Sequence, residues 1–191
     1  MPRRVIVVTG TPGTGKTTLT SVLAARLKAF HVDVPELVER EALYRGVDKR
    51  RRAKIVNLPQ VRNRIRELAW KESRLLLVSS HVPDVVWRRD VKKVVVLRLD
   101  PRELKRRLED LKWPLQKVRE NVASEALGTC FEEAAQYYGE DKLVELDVTG
   151  LSIEEAVDRL HLAIKGRIAC KVDWLSKAVD EEDLARLLAE L

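Results

Sequence analysis

The chain has 191 residues, enough for one domain that buries a core without disulfide or metal staples. Hydrophobic residues make up 45% and charged residues 35%, which excludes a disordered chain and implies a densely charged surface. A net charge of +6, from 36 Lys and Arg against 30 Asp and Glu, suits phosphate-bearing partners: nucleotides, RNA or a ribosome surface.

The first predicted strand is the continuous apolar, β-branched run at residues 5–9, which ends at Gly10. Residues 10–18 then read Gly-Thr-Pro-Gly-Thr-Gly-Lys-Thr-Thr, a complete GxxxxGK[ST] between that strand and a helix. Glycines alone would serve a connecting turn equally well. Lys followed by Thr at this spacing is what a phosphate cradle needs. Backbone N–H groups around Gly13, Thr14 and Gly15 would point at phosphate oxygens, and the helix from Lys16 would add its positive end. Lys16 would contact the β and γ phosphates of ATP, Thr17 would ligate Mg²⁺ and Thr18 would donate to the α phosphate. The helix carries Leu19, Val22, Leu23 and Leu27 toward one side.

A short, weaker strand is predicted at residues 30–34. Asp33 at its end reads either as a helix cap before Pro35 or as a group facing the Mg²⁺ water shell. A basic run, RGVDKRRRAK, occupies residues 45–54. It could attract a nucleotide or rRNA, or simply form a solvated face, since no aromatics for base stacking accompany it. Buried strands are predicted at residues 75–78 and 94–99, with His81 in the loop after the first of these. Loops at strand C-terminal ends are where doubly wound sheets bind ligands, so His81 is a candidate to position water or contact phosphate. Asp100, Pro101 and Glu103 spell a capping box with proline at the first helical position, and Ser152 and Glu155 repeat it before the stripe Ile153, Val157, Leu160 and Ile164. Residues 142–148 alternate as an edge-type strand would. The C-terminal residues 171–191 carry Leu184, Leu187, Leu188 and Leu191 at helical spacing, for docking on the core or for a partner.

Cys130 and Cys170 form no CxxC pair and read as buried free thiols, with no zinc site expected. No apolar stretch has signal-peptide or transmembrane length, so a cytoplasmic protein with no membrane partner is expected. Strands alternating with helices imply an α/β fold with a parallel sheet covered on both faces.

These residues together resemble the adenylate kinase isoenzyme 6 family, the small archaeal and eukaryotic kinases also described as coilin-interacting nuclear ATPases. The likeness runs from the GTPGTGKTT loop to about residue 165. It includes Asp33-Val34 with Glu36-Leu37, Leu43-Tyr44-Arg45-Gly46-Val47-Asp48, His81, Val96-Leu97-Arg98-Leu99-Asp100, and Arg107-Leu108 leading to Glu120-Asn121-Val122. The resemblance implies a three-layer P-loop NTPase with an adenylate-kinase-like five-stranded parallel sheet. It implies one kinase-like domain over residues 1–170, with a monophosphate clamp at about residues 33–56 and a short lid at about residues 110–120, and a C-terminal helical extension. It further implies phosphoryl transfer from ATP to AMP, ATP hydrolysis, and a role in small ribosomal subunit maturation with a ribosomal protein as partner. An alternative is a nucleotide-switched assembly factor that hydrolyses ATP slowly. Three positions depart from the family pattern. Ser79 stands where an acidic residue is usual, Leu111 where the lid has arginine, and Glu39 where the clamp has arginine. Asp84 could stand in for the acid, and Lys112, Arg106, Arg107 or Arg40 for the missing arginines. Trp113, in the lid, is a candidate adenine neighbour.

Overall fold

The computed structural model describes residues 5–48 and 53–189. β1 (Val5–Gly10) is buried at every position, because helices cover both faces of its sheet and leave the strand no solvent side. Its side chains alternate between two cores: Ile6 and Val8 enter one, Val5 and Val7 the other. Next come α1 (Lys16–Leu27), β2 (Phe30–Asp33), α2 (Val34–Arg40), β3 (Tyr44–Asp48), β4 (Ala53–Val56), α3 (Leu58–Lys71) and β5 (Leu76–Ser79). β6 (Val91–Arg98), α4 (Pro101–Asp110), α5 (Leu115–Ala126), α6 (Thr129–Tyr138) and β7 (Leu143–Asp147) follow. The last elements are α7 (Ile153–Ile164), α8 (Trp174–Asp180) and α9 (Glu182–Ala189).

Five strands form one sheet in the order β2-β5-β1-β6-β7, and every neighbouring pair is parallel. This is the three-layer α/β architecture the alternation of strands and helices implied. The strands with the weakest apolar signal, β2 and β7, are the two edges. There a strand has one neighbour and only partial cover, so fewer of its positions need to be apolar. β1 sits at the centre, flanked by β5 and β6, so the loop after Gly10 opens at the middle of the sheet's C-terminal edge. α1, α4, α5, α7 and α9 contribute to one core and α2, α3 and α6 to the other.

β3 and β4 form a separate antiparallel hairpin. Residues 49–52 of the basic run lie outside the described residues, as does Leu191. The stretch at residues 110–120 takes in the end of α4, the turn at residues 111–114 with Lys112 at φ 55, and the first half of α5. α8 and α9 show that the C-terminal segment docks on the core: Trp174, Leu184 and Leu187 are buried.

Four local expectations are corrected. Val22 is 40% exposed and Ile153 54% exposed, because each lies just outside the arc its helix turns to the core. Asp100 caps α4 by accepting the Arg102 N–H at 2.8 Å. Glu103, rather than closing the box, accepts from Arg107 at 2.6 Å and from the Gly150 N–H at 3.1 Å. The Ser152–Glu155 box is complete. Cys170 is exposed rather than buried, its thiol held between the Asp147 N–H and the Glu145 carbonyl. Among the described residues no helix is long and apolar enough to cross a membrane.

Candidate functional site

The loop after β1 turns sharply into α1. Gly15 caps that helix at φ 91, a left-handed conformation that suits glycine, and neither a side-chain cap nor an acidic residue occupies the first turn. The free N–H groups and positive dipole end of α1 therefore face the hollow of the loop, an arrangement that attracts an anion. Thr11 is the hub inside the loop. Its carbonyl accepts from Lys16 Nζ at 2.8 Å, from Thr14 Oγ1 at 2.9 Å and from the Thr14 N–H at 3.3 Å. Lys16 is 8% exposed, and burial pulls its ammonium down to about 8, against the opposing pull of the Glu125 and Asp33 carboxylates.

On one side of the loop lies an open cleft of about 290 Å³, lined by Pro12, Lys16, Thr17, Asp33, Ser79, His81 and Trp113 among others. Asp33 and Ser79 are register partners at the ends of neighbouring strands, which brings their side chains together. Thr17 Oγ1 donates to Asp33 Oδ2 at 2.7 Å, and Ser79 Oγ donates to the same oxygen at 3.0 Å. His31 Nε2 lies 2.8 Å from Ser79 Oγ. The other Asp33 oxygen accepts the Glu36 N–H at 3.0 Å, so this residue caps α2 and faces the cleft at once. Desolvation by the cleft walls, followed by the nearby Lys16 ammonium, pushes the His81 imidazole below its usual range and favours the neutral ring. Beneath it Cys130 donates to the His81 carbonyl at 3.8 Å, and burial pushes that thiol up to about 11, so it is an inert packing group.

On the other side of the loop a cavity of about 260 Å³ is lined by Thr14, Gly15, Thr18, Arg107, Val148, Leu151 and Ser152 among others. Arg107 lies across the loop, its Nη1 3.5 Å from the Gly13 carbonyl.

The fold thus brings Lys16, Thr17, Asp33, Ser79 and His81 together and leaves other candidates elsewhere. Asp84 is paired with Arg62 through both its carboxylate and its carbonyl, and does not line the cleft. Glu39 pairs with Lys54 and Arg40 with Glu36, both on the exposed face of α2. Arg106 and Lys112 are exposed, so Arg107 is the arginine of this group that reaches the loop. Trp113 lines the Lys16–His81 cleft and not the cavity beside Thr18.

Residues 6–128 match the family model described as AAA domain. Over 177 residues the chain is 33% identical to the protein of Methanocaldococcus jannaschii named "Putative adenylate kinase", covering 92% of this chain and 95% of that one. The protein of the same name from Halobacterium salinarum is 38% identical over 161 residues, covering 84% of this chain and 90% of its own. The chain belongs to this archaeal P-loop family. Its fold is shared with shikimate kinase from Bacteroides thetaiotaomicron, at TM-score 0.55 and 22% identity over 84% of this chain and 98% of that one. It is shared also with a gluconokinase from Sinorhizobium meliloti, at TM-score 0.53 and 19% identity over 86% and 93%.

One loop position of this family member makes a direct test of the cradle. At Gly13, φ is 95, and an added Cβ would lie 2.8 Å from Leu104 Cδ1 and 2.9 Å from Leu108 Cδ2. Both leucines are fully buried on α4, so they cannot move aside freely. Gly13→Ala is expected to cost about 1–3 kcal/mol of stability and to weaken ATP binding, checked by thermal melts and calorimetric titration. Unchanged affinity would show that the loop's close approach to α4 does not matter for phosphate binding.

Sequence reasoning missed the support beneath the loop. Glu125 on α5 is 1% exposed and accepts from Thr11 Oγ1 at 2.6 Å, Arg98 Nε at 2.8 Å, the Leu99 N–H at 3.1 Å and Trp174 Nε1 at 3.1 Å. Arg98 also reaches Glu145. A charged residue inside the run VVVLRL was the available signal, because a cation in a strand buried on both faces requires a buried partner.

Proposed function

We propose that the chain is an ATP-dependent nucleoside monophosphate kinase of the adenylate kinase type, akin to the isoenzyme 6 family, that transfers a phosphoryl group from ATP to AMP. The observation that carries this reading is the convergence of Lys16, Thr17, Asp33 and His81 on one cleft at the C-terminal end of the central strand. In this reading the backbone of Gly13, Thr14 and Gly15 cradles the ATP phosphates and Lys16 swings from the Thr11 carbonyl onto the β and γ phosphates. Thr18 donates to the α phosphate, and Arg107 neutralises charge from across the loop. The cavity beside Thr18, walled by Val148 and Leu151, takes the nucleoside end of ATP. AMP enters the cleft between α2 and His81. The β3–β4 hairpin, within residues 33–56, acts as the clamp, and the stretch at residues 110–120 as a short lid that excludes water on closing.

The donors in the cleft fit Mg²⁺: a hydroxyl at Thr17 and a carboxylate at Asp33, oxygen ligands of the kind this ion takes alongside phosphate and water. Thr17 would be its protein ligand and Asp33, oriented by Ser79, would accept from its water shell. When bound, the ion neutralises charge on the transferred phosphoryl group. The neutral His81 ring would position the acceptor or a water.

ADP formation from ATP, measured with and without AMP, tests the reading. AMP-dependent ADP production is the expected result, whereas slow hydrolysis indifferent to AMP would overturn it. That outcome would favour a second reading, a cytoplasmic ATPase that switches its hold on a small-subunit ribosomal protein or rRNA. Leu111, 63% exposed where the lid arginine is expected, is the observation on its side.

A further inference from the structure

The segment after α7 reaches the phosphate loop by two separate routes. The first runs through Trp174, whose side chain is fully buried and whose indole N–H donates to Glu125 Oε1 at 3.1 Å. The other oxygen of Glu125 takes the Thr11 hydroxyl at 2.6 Å, and the Thr11 carbonyl takes Lys16 Nζ at 2.8 Å. The second route runs through α9. Leu187 packs in the same core as Leu104 and Leu108 of α4, and those two leucines back Gly13. Arg102 of α4 is tied to Glu181, between α8 and α9, at 2.6 Å.

The charges explain why the first route is more than packing. Arg98 is the cation for both Glu125 and Glu145, so one guanidinium faces two buried carboxylates. The excess negative charge is stabilised by neutral donors: the Thr11 hydroxyl, the Leu99 N–H, the Trp174 indole and the Val172 N–H. A buried carboxylate deprived of one donor leans on those that remain. Loss of the Trp174 donor therefore alters the Glu125–Thr11 bond, and with it the carbonyl on which Lys16 rests.

We propose that Glu125 is a positioning residue for Thr11 and that Trp174 completes its hydrogen-bond set. The C-terminal segment is then a working part of the nucleotide site. This rests on the phosphate loop binding ATP, and not on AMP being the acceptor. By reciprocity, a segment that favours the binding-ready loop is itself favoured by bound nucleotide.

The test is a double-mutant cycle in the full-length protein, with ATP affinity and thermal melting measured on every variant. Trp174→Phe keeps the ring and removes the donor; Thr11→Val removes the hydroxyl; Thr11→Ser keeps it. Each of the first two is expected to weaken ATP binding by about tenfold, and the pair together by much less than the product of the two. Thr11→Ser is expected to bind like the parent. ATP is also expected to slow amide exchange at residues 172–178. Trp174→Phe with a lowered melting temperature but unchanged ATP affinity would overturn the proposal, as would multiplicative losses in the double variant. Failure of AMP to raise ADP formation would leave these results untouched.

Discussion

Lys16→Ala is expected to weaken ATP binding and to lower the rate of ADP formation by about 10²–10³-fold, the scale for losing one donor aimed at charge that develops in the transition state. Lys16 sits 8% exposed inside the loop with its Nζ on the Thr11 carbonyl at 2.8 Å, a bond within the loop itself. The ammonium is desolvated there, which is why it is drawn down to about 8. Removing a charge that the fold disfavours costs the fold little, so the melting temperature without nucleotide is expected to be no lower than that of the parent. The stabilisation added by ATP, which follows from binding to the folded state alone, is expected to vanish. Melting curves with and without ATP·Mg²⁺ check both halves. Retained ATP stabilisation in the variant would remove Lys16 from the phosphate site.

Arg98→Met is expected to have the largest effect on stability. The guanidinium is buried between Glu125 and Glu145, bonding Glu125 at 2.8 Å through Nε and the Glu125 carbonyl at 2.9 Å through Nη2. Methionine fills much of the volume but leaves two buried carboxylates facing each other without a cation. Breaking a buried ion pair on one side costs about 3–5 kcal/mol, which for a chain of this size is a fall in melting temperature of about 6–20 °C. Arg98→Met combined with Glu125→Gln and Glu145→Gln is expected to recover part of that loss, because the stranded charges go with the cation. Calorimetry on the single and triple variants decides it. An unchanged melting temperature in Arg98→Met would mean that water or movement relieves the carboxylates.

Both effects trace to residues that differ sharply in how visible they are before folding. Lys16 and Thr17 stand in a contiguous signature whose neighbours in sequence are its neighbours in space, and the structure places them at the head of α1. Glu125 is an ordinary acid on an amphipathic helix, and Trp174 one of four tryptophans scattered along the chain. Their meeting across a separation of 49 residues depends on how α5 and the C-terminal segment pack under the sheet. Asp33 shows the intermediate case. Its place at a strand end and its capping role were legible, but its bond to Ser79 follows from the parallel register of β2 with β5. Asp84 shows the reverse, since it lies just after His81 in sequence and is turned elsewhere by Arg62.

By itself the sequence determined what is local. The strand–loop–helix cradle, the alternation that requires a parallel sheet, the partial apolar character of the two edge strands and the Ser152–Glu155 cap all rest on periodicity, turn chemistry and capping within a few residues. Only the tertiary structure decided which side chains share a cavity. It set Asp33 beside Thr17, laid Arg107 across the loop and joined Thr11 to Trp174 through Glu125. The physical reason is that strand order and helix docking are settled by burial of whole faces. The contacts of any single polar group then follow from a packing that its own neighbours in sequence do not encode.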